Sequence, residues 1–237
     1  MMDIAQNVGF YCINYKDEKR REKMTKRWEN LGLPLHFVPP VESDDERLMN
    51  VTVDINKEKR TWAINLQHLD SVRHFIEHTN LEYCVVCEDD ILVSKYLKMD
   101  MENIIQTYEK LDLDVMLLGY LVPYEIVDTN SYYPLKERNH MFSYHDYPDD
   151  LWGSQMYMVS RKHGLALLDR FTIDHAVETM YGPIPFSPDW TLTKWGKKVI
   201  VYPMIALEEG DTKCDLDSEI SYHQRCFKHN YVARVFI

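Results

Sequence analysis

The chain is 237 residues long, enough for one large domain, and its apolar share of 45% is ordinary for a globular protein. With 38 acidic and 27 basic residues its formal net charge is −11, so its overall field disfavours nucleic acid as a partner. No apolar run approaches the ~20 residues that span a bilayer, and the N-terminus lacks the pattern of a signal peptide. We therefore expect no membrane span and a cytoplasmic location, in the host cytoplasm if the protein is viral.

The first half of the chain alternates between two hydrophobic patterns. Short apolar runs predict strands, and apolar residues three or four positions apart predict helices. We predict strands at 8–15, 35–38, 83–87 and 114–118, and helices around 24–31, 62–76 and 104–111. A polar surface loop is expected at 41–60. Strand, helix and strand at this spacing are typical of a parallel sheet.

From residue 120 to 150 no period is visible, and tyrosines are spread among prolines and turn residues. A loop of this length is usually functional, and its aromatic content argues against disorder, so we expect a lid over a substrate. Beyond it we predict a strand at 154–160, a helix through 165–171, a proline-rich turn at 183–188 and a last strand at 198–202. After this strand we predict a polar tail, which contains Asp211, Asp215, Asp217 and His223.

These elements predict a single α/β domain over residues 1–237. Its mostly parallel sheet is expected to be doubly wound, with flanking helices and an irregular C-terminal region. In open sheets of this kind, ligands gather at the carboxyl ends of the strands.

The most specific chemical feature is Glu88-Asp89-Asp90, which directly follows the strand at 83–87. In extended geometry Glu88 and Asp90 project to one side and Asp89 to the other. Carboxylates this close repel one another, so a divalent cation would stabilise them. Their oxygens suit Mn²⁺ or Mg²⁺, whose remaining positions go to waters and substrate phosphates. The alternative is a solvated acidic turn, or a helix start with Asp as the N-cap.

Five segments stand in the same order as the motifs of one known family. They are Ile13-Asn14-Tyr15 with Arg21, Ala63 to His68, Glu88-Asp89-Asp90-Ile91, Trp152 to Arg161, and Asp189. In these segments the chain resembles glycosyltransferase family 25, which includes bacterial lipooligosaccharide glycosyltransferases and collagen galactosyltransferase domains. They span most of the chain, and the acidic motif is the most specific of them. Ala63, Ile64 and Gln67 stand where the family has Gly, Cys and Ser, which leaves the role of that helix open.

The resemblance implies a GT-A type fold with a nucleotide-sugar-binding half at about 8–119 and an acceptor half at about 120–237. It implies transfer of a sugar from a nucleoside-diphosphate sugar, expected to be UDP-linked, to a glycan or hydroxylated acceptor. A metal held by Glu88 and Asp90, Mn²⁺ or Mg²⁺, would neutralise the charge that builds on the departing diphosphate.

The resemblance also implies roles for single residues. Asn14 and Arg21 would lie near the base and phosphates of the donor, Asp89 near the metal or the donor ribose, and His68 against donor or acceptor. Asp189 matches an aspartate after a proline-containing turn and is the candidate general base for the acceptor hydroxyl. The residues alone leave other interpretations open: a solvated helix charge for Arg21, a turn residue for Asn14, a structural histidine for His68 and an N-cap for Asp189.

Two other functions are compatible with the sequence. A nucleotidyltransferase, or another metal-dependent phosphate enzyme, would also use paired carboxylates, together with a basic phosphate clamp. A catalytically silent glycan-binding relative is disfavoured by the intact acidic motif. The eight glycines are not clustered, which argues against a phosphate-binding P-loop.

Overall fold

A sheet of eight strands organises the fold of the computed structural model, which describes residues 3–49, 56–209 and 217–237. In chain order the ten strands are Val8–Cys12 (β1), His36–Phe37 (β2), Tyr83–Cys87 (β3), Ile91–Val93 (β4), Val115–Gly119 (β5), Leu135–Arg138 (β6), Ser143–His145 (β7), Met156–Ser160 (β8), Lys198–Tyr202 (β9) and Ala206–Glu208 (β10). The large sheet has the order β2-β1-β3-β8-β5-β9-β7-β6, and β10 pairs with β4 in a small second sheet.

Most strands of the large sheet run in one direction. β1 is parallel to β2 and β3, and β5 is parallel to β9. β8 lies between β3 and β5 and is antiparallel to both, and β7 is antiparallel to β6 and β9. Among the described strands of this sheet only β7 and β8 oppose the common direction, which confirms the predicted α/β fold with a mostly parallel sheet. Since β8 belongs to the second half of the chain, both halves contribute to one sheet.

Seven α-helices are described around this sheet. They are Glu18–Leu31 (α1), Asn56–His78 (α2), Leu97–Lys110 (α3), Arg161–Arg170 (α4), Ile173–Thr179 (α5), Pro188–Thr191 (α6) and Asp217–Asn230 (α7). α1 begins because the Asp17 side chain accepts a hydrogen bond from the backbone N–H of Arg20, and it ends at Gly32, whose φ of 62° favours glycine. Within the described ranges, no helix is long and apolar enough to cross a membrane.

Two apolar layers enclose the sheet, because successive strand residues point to opposite faces. Tyr11 of β1 belongs to the layer that includes Trp62 and Val72 of α2. Phe10 belongs to the other layer and packs against Trp28 of α1, with ring centroids 6.3 Å apart. Helices thus cover both faces, as expected for a doubly wound sheet. Burial of these two apolar layers holds the strands in place, and with them the strand ends that carry the polar residues of the site.

Three stretches predicted to be irregular contain regular structure. The region 120–150 holds β6 and β7, and β7 extends the sheet by pairing with β9. The predicted polar tail begins with β10 and later forms α7, whereas Asp211 and Asp215 lie outside the described residues. The predicted loop at 41–60 ends earlier because α2 begins at Asn56. Strands of three or four residues are too short to show a period in the sequence.

Candidate functional site

The candidate site is built where β1 and β3 end. These strands pair in parallel, with Cys12 opposite Cys87, so Asn14 and Asp89 each follow by two residues and lie side by side. The Nδ2 group of Asn14 donates a hydrogen bond to Oδ2 of Asp89 at 2.6 Å and another to the backbone oxygen of Asp17 at 3.0 Å. The parallel register of β1 and β3 thus brings these two polar side chains together at the carboxyl edge of the sheet.

A cavity of about 710 Å³ opens at this edge. Its wall combines the three acidic residues of the 88–90 motif with three basic side chains and an apolar side. The lining includes Ile13, Asn14, Tyr15, Asp17, Arg20, Val41, Ser43, Leu48, Lys59, Arg60, Ala63, Ile64, Gln67, Glu88, Asp89 and Asp90. Volume and mixed polarity are those of a site for a small organic molecule.

Arg20, and not Arg21, faces the acidic motif. Its Nη1 atom lies 2.8 Å from Oδ1 of Asp89 and 3.2 Å from Oδ2 of Asp90. Arg21 instead stacks its guanidinium over the Phe37 ring, 4.5 Å from the centroid, and does not line the cavity. The expectation for Arg21 is thus replaced by its neighbour, since consecutive helix residues point about 100° apart. Both arginines lie about one turn before the buried Met24, so spacing did not discriminate between them.

Asp90 is an ionisable group held largely away from water. It is 7% exposed, and its Oδ1 atom has no hydrogen-bond partner among the described residues. Burial, and then the charge of Glu208, raise the pKa of Asp90 to about 7, against the opposing effect of Arg20. An unpartnered, buried carboxylate oxygen at the mouth of a cavity is a position at which a cation would be stabilised.

Glu88, the first residue of the acidic motif, contacts Ser154. Its Oε1 atom accepts a hydrogen bond from the Ser154 hydroxyl at 2.9 Å. Burial first, and then the charges of Asp90, Glu208 and Asp189, raise the pKa of Glu88 well above its ordinary value. The negative charge of Asp90 thus disfavours ionisation of Glu88, because like charges repel each other.

Glu208 is a member of this acidic group that the sequence analysis missed. It is buried on β10, where register places it opposite Ile91, next to Asp90. Both of its carboxylate oxygens lie 2.8 Å from Nδ1 of His223, on α7. Only the pairing of β4 with β10 brings Glu208 here, and no local pattern in the sequence signals that pairing.

Asp189 lies on α6, whose N-cap is Ser187, so Asp189 is a first-turn residue and not the N-cap. Its Oδ1 atom accepts a hydrogen bond from the backbone N–H of Gly153 at 2.7 Å. Burial raises the pKa of Asp189, while the hydrogen bond from Gly153 and the charge of Lys194 act in the opposite direction. Because Ser154 contacts Glu88, the segment 152–155 joins Asp189 to the acidic motif.

His68 lies in the core and outside the cavity. It is 0% exposed, and its Nδ1 atom lies 3.1 Å from the Tyr157 hydroxyl, with the two rings stacked. Burial lowers the pKa of His68 to about 3, which keeps the ring neutral. The preceding residue, Gln67, lines the cavity and donates to the backbone oxygen of Asn14 at 3.2 Å. This geometry favours the structural interpretation of His68.

Over the parts of the chain described, no group of three or more His, Cys, Asp or Glu side chains is arranged so as to hold a metal ion. Glu88 and Asp90 offer two carboxylates, and Oδ1 of Asp90 has no partner among the described residues, so an ion held by this pair would need its other ligands from water or a bound phosphate.

No family model matches the chain, and no curated protein matches it. Among solved structures, mannose-1-phosphate geranyltransferase from Thermus thermophilus is similar with 12% identity and a TM-score of 0.48, over 83% of this chain and 73% of that one. A197 from STIV is similar with 10% identity and a TM-score of 0.43, over 87% and 92%. A glycosyltransferase involved in glycosylation of the major capsid of PBCV-1 is similar with 10% identity and a TM-score of 0.40, over 94% and 99%. At these values we transfer no residue role from them.

Proposed function

We propose that the protein is a metal-assisted glycosyltransferase that transfers a sugar from a nucleoside-diphosphate sugar to a glycan or hydroxylated acceptor. The observation that carries the proposal is the cavity at the ends of β1 and β3, where the buried oxygen of Asp90 lacks a partner among the described residues. Carboxylates, cations and an apolar wall meet there, as a nucleotide diphosphate requires. The resemblance to glycosyltransferase family 25 belongs to the same proposal.

Glu88 and Asp90 would hold Mn²⁺ or Mg²⁺. When bound, the ion would neutralise the negative charge that develops on the leaving diphosphate. Their raised pKa values support this assignment, because a cation favours the ionised forms that burial disfavours.

The chain's own side chains would do the remaining work of binding the donor. Arg20, Lys59 and Arg60 line the cavity and carry the positive charge that phosphate oxygens attract. Asn14 and Arg20 fix the carboxylate of Asp89 by hydrogen bonds to its two oxygens, and Asp89 in this position would lie near the metal or the donor ribose. The apolar surface for the base is supplied by Ile13, Val41 and Leu48.

Asp189 would accept the proton of the acceptor hydroxyl. The hydrogen bond from Gly153 fixes one oxygen of its carboxylate, and the segment 152–155 holds it next to Glu88. A carboxyl with a raised pKa is a stronger base than an ordinary one once it is ionised.

A nucleotidyltransferase is the second candidate, because the three basic side chains of the cavity match the phosphate clamp that it needs. The two reactions release different products. A glycosyltransferase with a nucleotide sugar yields the nucleoside diphosphate, whereas a nucleotidyltransferase with a nucleoside triphosphate and a sugar phosphate yields pyrophosphate.

The test is incubation with a panel of nucleotide sugars, and separately with nucleoside triphosphates and sugar phosphates, with Mn²⁺ or with EDTA. We expect metal-dependent release of nucleoside diphosphate from at least one nucleotide sugar, and loss of that release in Asp90→Asn. Asp100→Asn is a matched control, since Asp100 is also buried with an oxygen that lacks a partner among the described residues, but it lies outside the cavity. Pyrophosphate release alone would assign the second function, and the absence of both products would reject both.

A further inference from the structure

Trp152 exposes an aromatic ring next to the candidate site. It is 55% exposed, whereas Trp28 and Trp62 are buried. Exposing this much of an indole to water forgoes the stabilisation that its burial would give. An exposed indole offers a flat apolar face and an N–H donor to a ligand.

The backbone around Trp152 is fixed on both sides. The N–H of Leu121 donates to the backbone oxygen of Trp152 at 2.9 Å, and the next residue, Gly153, donates to Asp189 at 2.7 Å. Further along, the backbone N–H of Glu88 donates to the backbone oxygen of Gln155 at 3.0 Å. The indole therefore projects from a segment that contacts both the acidic motif and the candidate base.

Close packing at Gly153 restrains the segment further. A Cβ atom on Gly153 would lie 2.7 Å from Cδ1 of Leu117 and 3.1 Å from Cβ of Tyr120. A larger residue at 153 would force the Leu117 side chain to shift, so close packing favours glycine where the segment lies against β5. The backbone next to Trp152 is packed at this point, while its ring is exposed to solvent.

The ring lies outside the cavity that we propose for the nucleotide. Glu88 lines the cavity at the ends of β1 and β3, whereas Trp152 and Asp189 do not. An acceptor must reach Asp189 without entering the space of the donor. Trp152 adjoins Gly153, whose N–H contacts the Asp189 carboxylate, so an acceptor bound at the indole would approach Asp189 from outside the donor cavity.

A polar group accompanies the ring. Asp150 is exposed two residues before Trp152, and one of its carboxylate oxygens accepts a hydrogen bond from the Tyr132 hydroxyl. Sugars present apolar C–H faces that stack on aromatic rings, and hydroxyls that donate to carboxylates. The segment 150–152 exposes a carboxylate and an indole two residues apart in the chain, and so carries groups for both kinds of contact.

We propose that Trp152 is the stacking platform for the acceptor and that the acceptor group it binds is a pyranose ring. Asp150 binds hydroxyls of the same sugar. This inference rests on the proposed glycosyltransferase function and specifies its acceptor class as carbohydrate, in place of a hydroxyl on a protein side chain.

The direct test uses the indole N–H signals in ¹⁵N-correlated NMR spectra, with the Trp152 signal assigned from its loss in Trp152→Phe. Methyl glycosides of glucose, galactose, mannose and N-acetylglucosamine are titrated in the presence of UDP and Mn²⁺. We expect at least one glycoside to shift the Trp152 signal in a saturable way. If none does so, the platform is rejected, whether or not UDP binds.

The kinetic test compares transfer to the best glycoside. In Trp152→Ala we expect KM for that acceptor to rise on the order of ten-fold, with hydrolysis of the donor and affinity for UDP unchanged. Trp152→Phe should restore most of the acceptor affinity, because it keeps a stacking face. Tyr181→Ala is the control, since Tyr181 is 85% exposed and lies outside the segment 152–155.

The outcomes separate this inference from the proposed function. If nucleotide sugars are hydrolysed but Trp152→Ala has an unchanged acceptor KM, the inference fails while the proposed function stands. If nucleotide sugars neither bind nor react, the proposed function fails and this inference fails with it. Should Trp152→Ala not fold, the glycoside titrations and Trp152→Phe still decide the matter.

Discussion

The guanidinium of Arg20 lies 3.2 Å from Oδ2 of Asp90, whereas Oδ1 of the same carboxylate has no partner in the described parts of the chain. One oxygen of Asp90 is thus paired with a guanidinium, and the other is buried without a partner among the described residues. Burial outweighs this ion pair, as the pKa of about 7 shows. The acidic motif therefore lowers the stability of the ligand-free protein at neutral pH, which has a measurable consequence.

Asp90→Asn is expected to stabilise the protein in EDTA at pH 8. The folded-state pKa of about 7 lies above the value of ~3.9 for an unfolded chain, so the unfolded state is the more readily ionised. The contribution of Asp90 to stability is full below pH ~4 and is lost as pH rises toward and through 7. Asn has no such loss, so the difference in melting temperature between variant and wild type should grow from pH 5 to pH 8.

The same substitution should abolish the response to metal. With UDP and Mn²⁺ the wild type should gain several degrees in melting temperature, and the gain should increase as pH rises through 7, because a cation binds the ionised carboxylates. Asp90→Asn should gain little. Asp100→Asn serves as the control and should respond like the wild type. A wild-type gain with UDP that is equal in EDTA and in Mn²⁺ would contradict the metal assignment.

Arg20→Met is expected to weaken UDP binding about ten-fold, as measured by calorimetry with Mn²⁺. Charge-assisted hydrogen bonds of this kind contribute about 1.5–3 kcal/mol, and the substitution also leaves Asp89 and Asp90 without their guanidinium. Arg21→Met is a matched control that changes the same charge one residue along, and its affinity should stay near that of the wild type. Equal loss in both variants would indicate a general effect of charge on α1.

The sequence predicted those parts of the site that follow from local pattern. The apolar run of β3 indicated where the acids begin, directly after Cys87, whereas the hydrogen bond between Asn14 and Asp89 follows from the parallel register of β1 and β3, which the sequence does not give. The direction of single helix residues was harder to predict: Arg20 and Arg21 are consecutive, as are Gln67 and His68, and the two side chains of each pair point in different directions. The position of Glu208 next to the acidic motif could not be predicted, because it depends on pairing between β4 and β10, which are far apart in the chain.

The region 120–150 is expected to be cut by proteases only in part. The hairpin of β6 and β7 pairs with β9, which protects its backbone, whereas Tyr124 and Tyr132 are exposed in the preceding loop. In limited proteolysis we expect cleavage within 123–132 and none within 143–145. Nucleotide sugar and Mn²⁺ should slow that cleavage if the loop acts as a lid over the substrate. Cleavage at an unchanged rate would leave the loop as a structural connection.

Asp189→Asn tests the candidate base. An acceptor hydroxyl is a poor nucleophile at neutral pH, so a positioned carboxylate is expected to take its proton. Asn keeps an oxygen for the hydrogen bond from Gly153, so UDP affinity and melting temperature should barely change. Turnover should fall on the order of 10²–10⁴-fold. Because burial raises the pKa of Asp189, the wild-type rate should fall with decreasing pH at a higher pH than an ordinary aspartate would give.

Asp189→Ala supplies the comparison that separates chemistry from structure. It removes both the base and the acceptor for the Gly153 N–H, so its melting temperature should fall while that of Asp189→Asn does not. Loss of turnover in both variants, with loss of stability only in the alanine variant, is the pattern expected of a base that also anchors the segment 152–155. Near-normal turnover by a folded Asp189→Asn variant would instead exclude Asp189 as the base. Its role would then be limited to anchoring the segment 152–155. The search for the base would then move to the C-terminal acids Asp215 and Asp217.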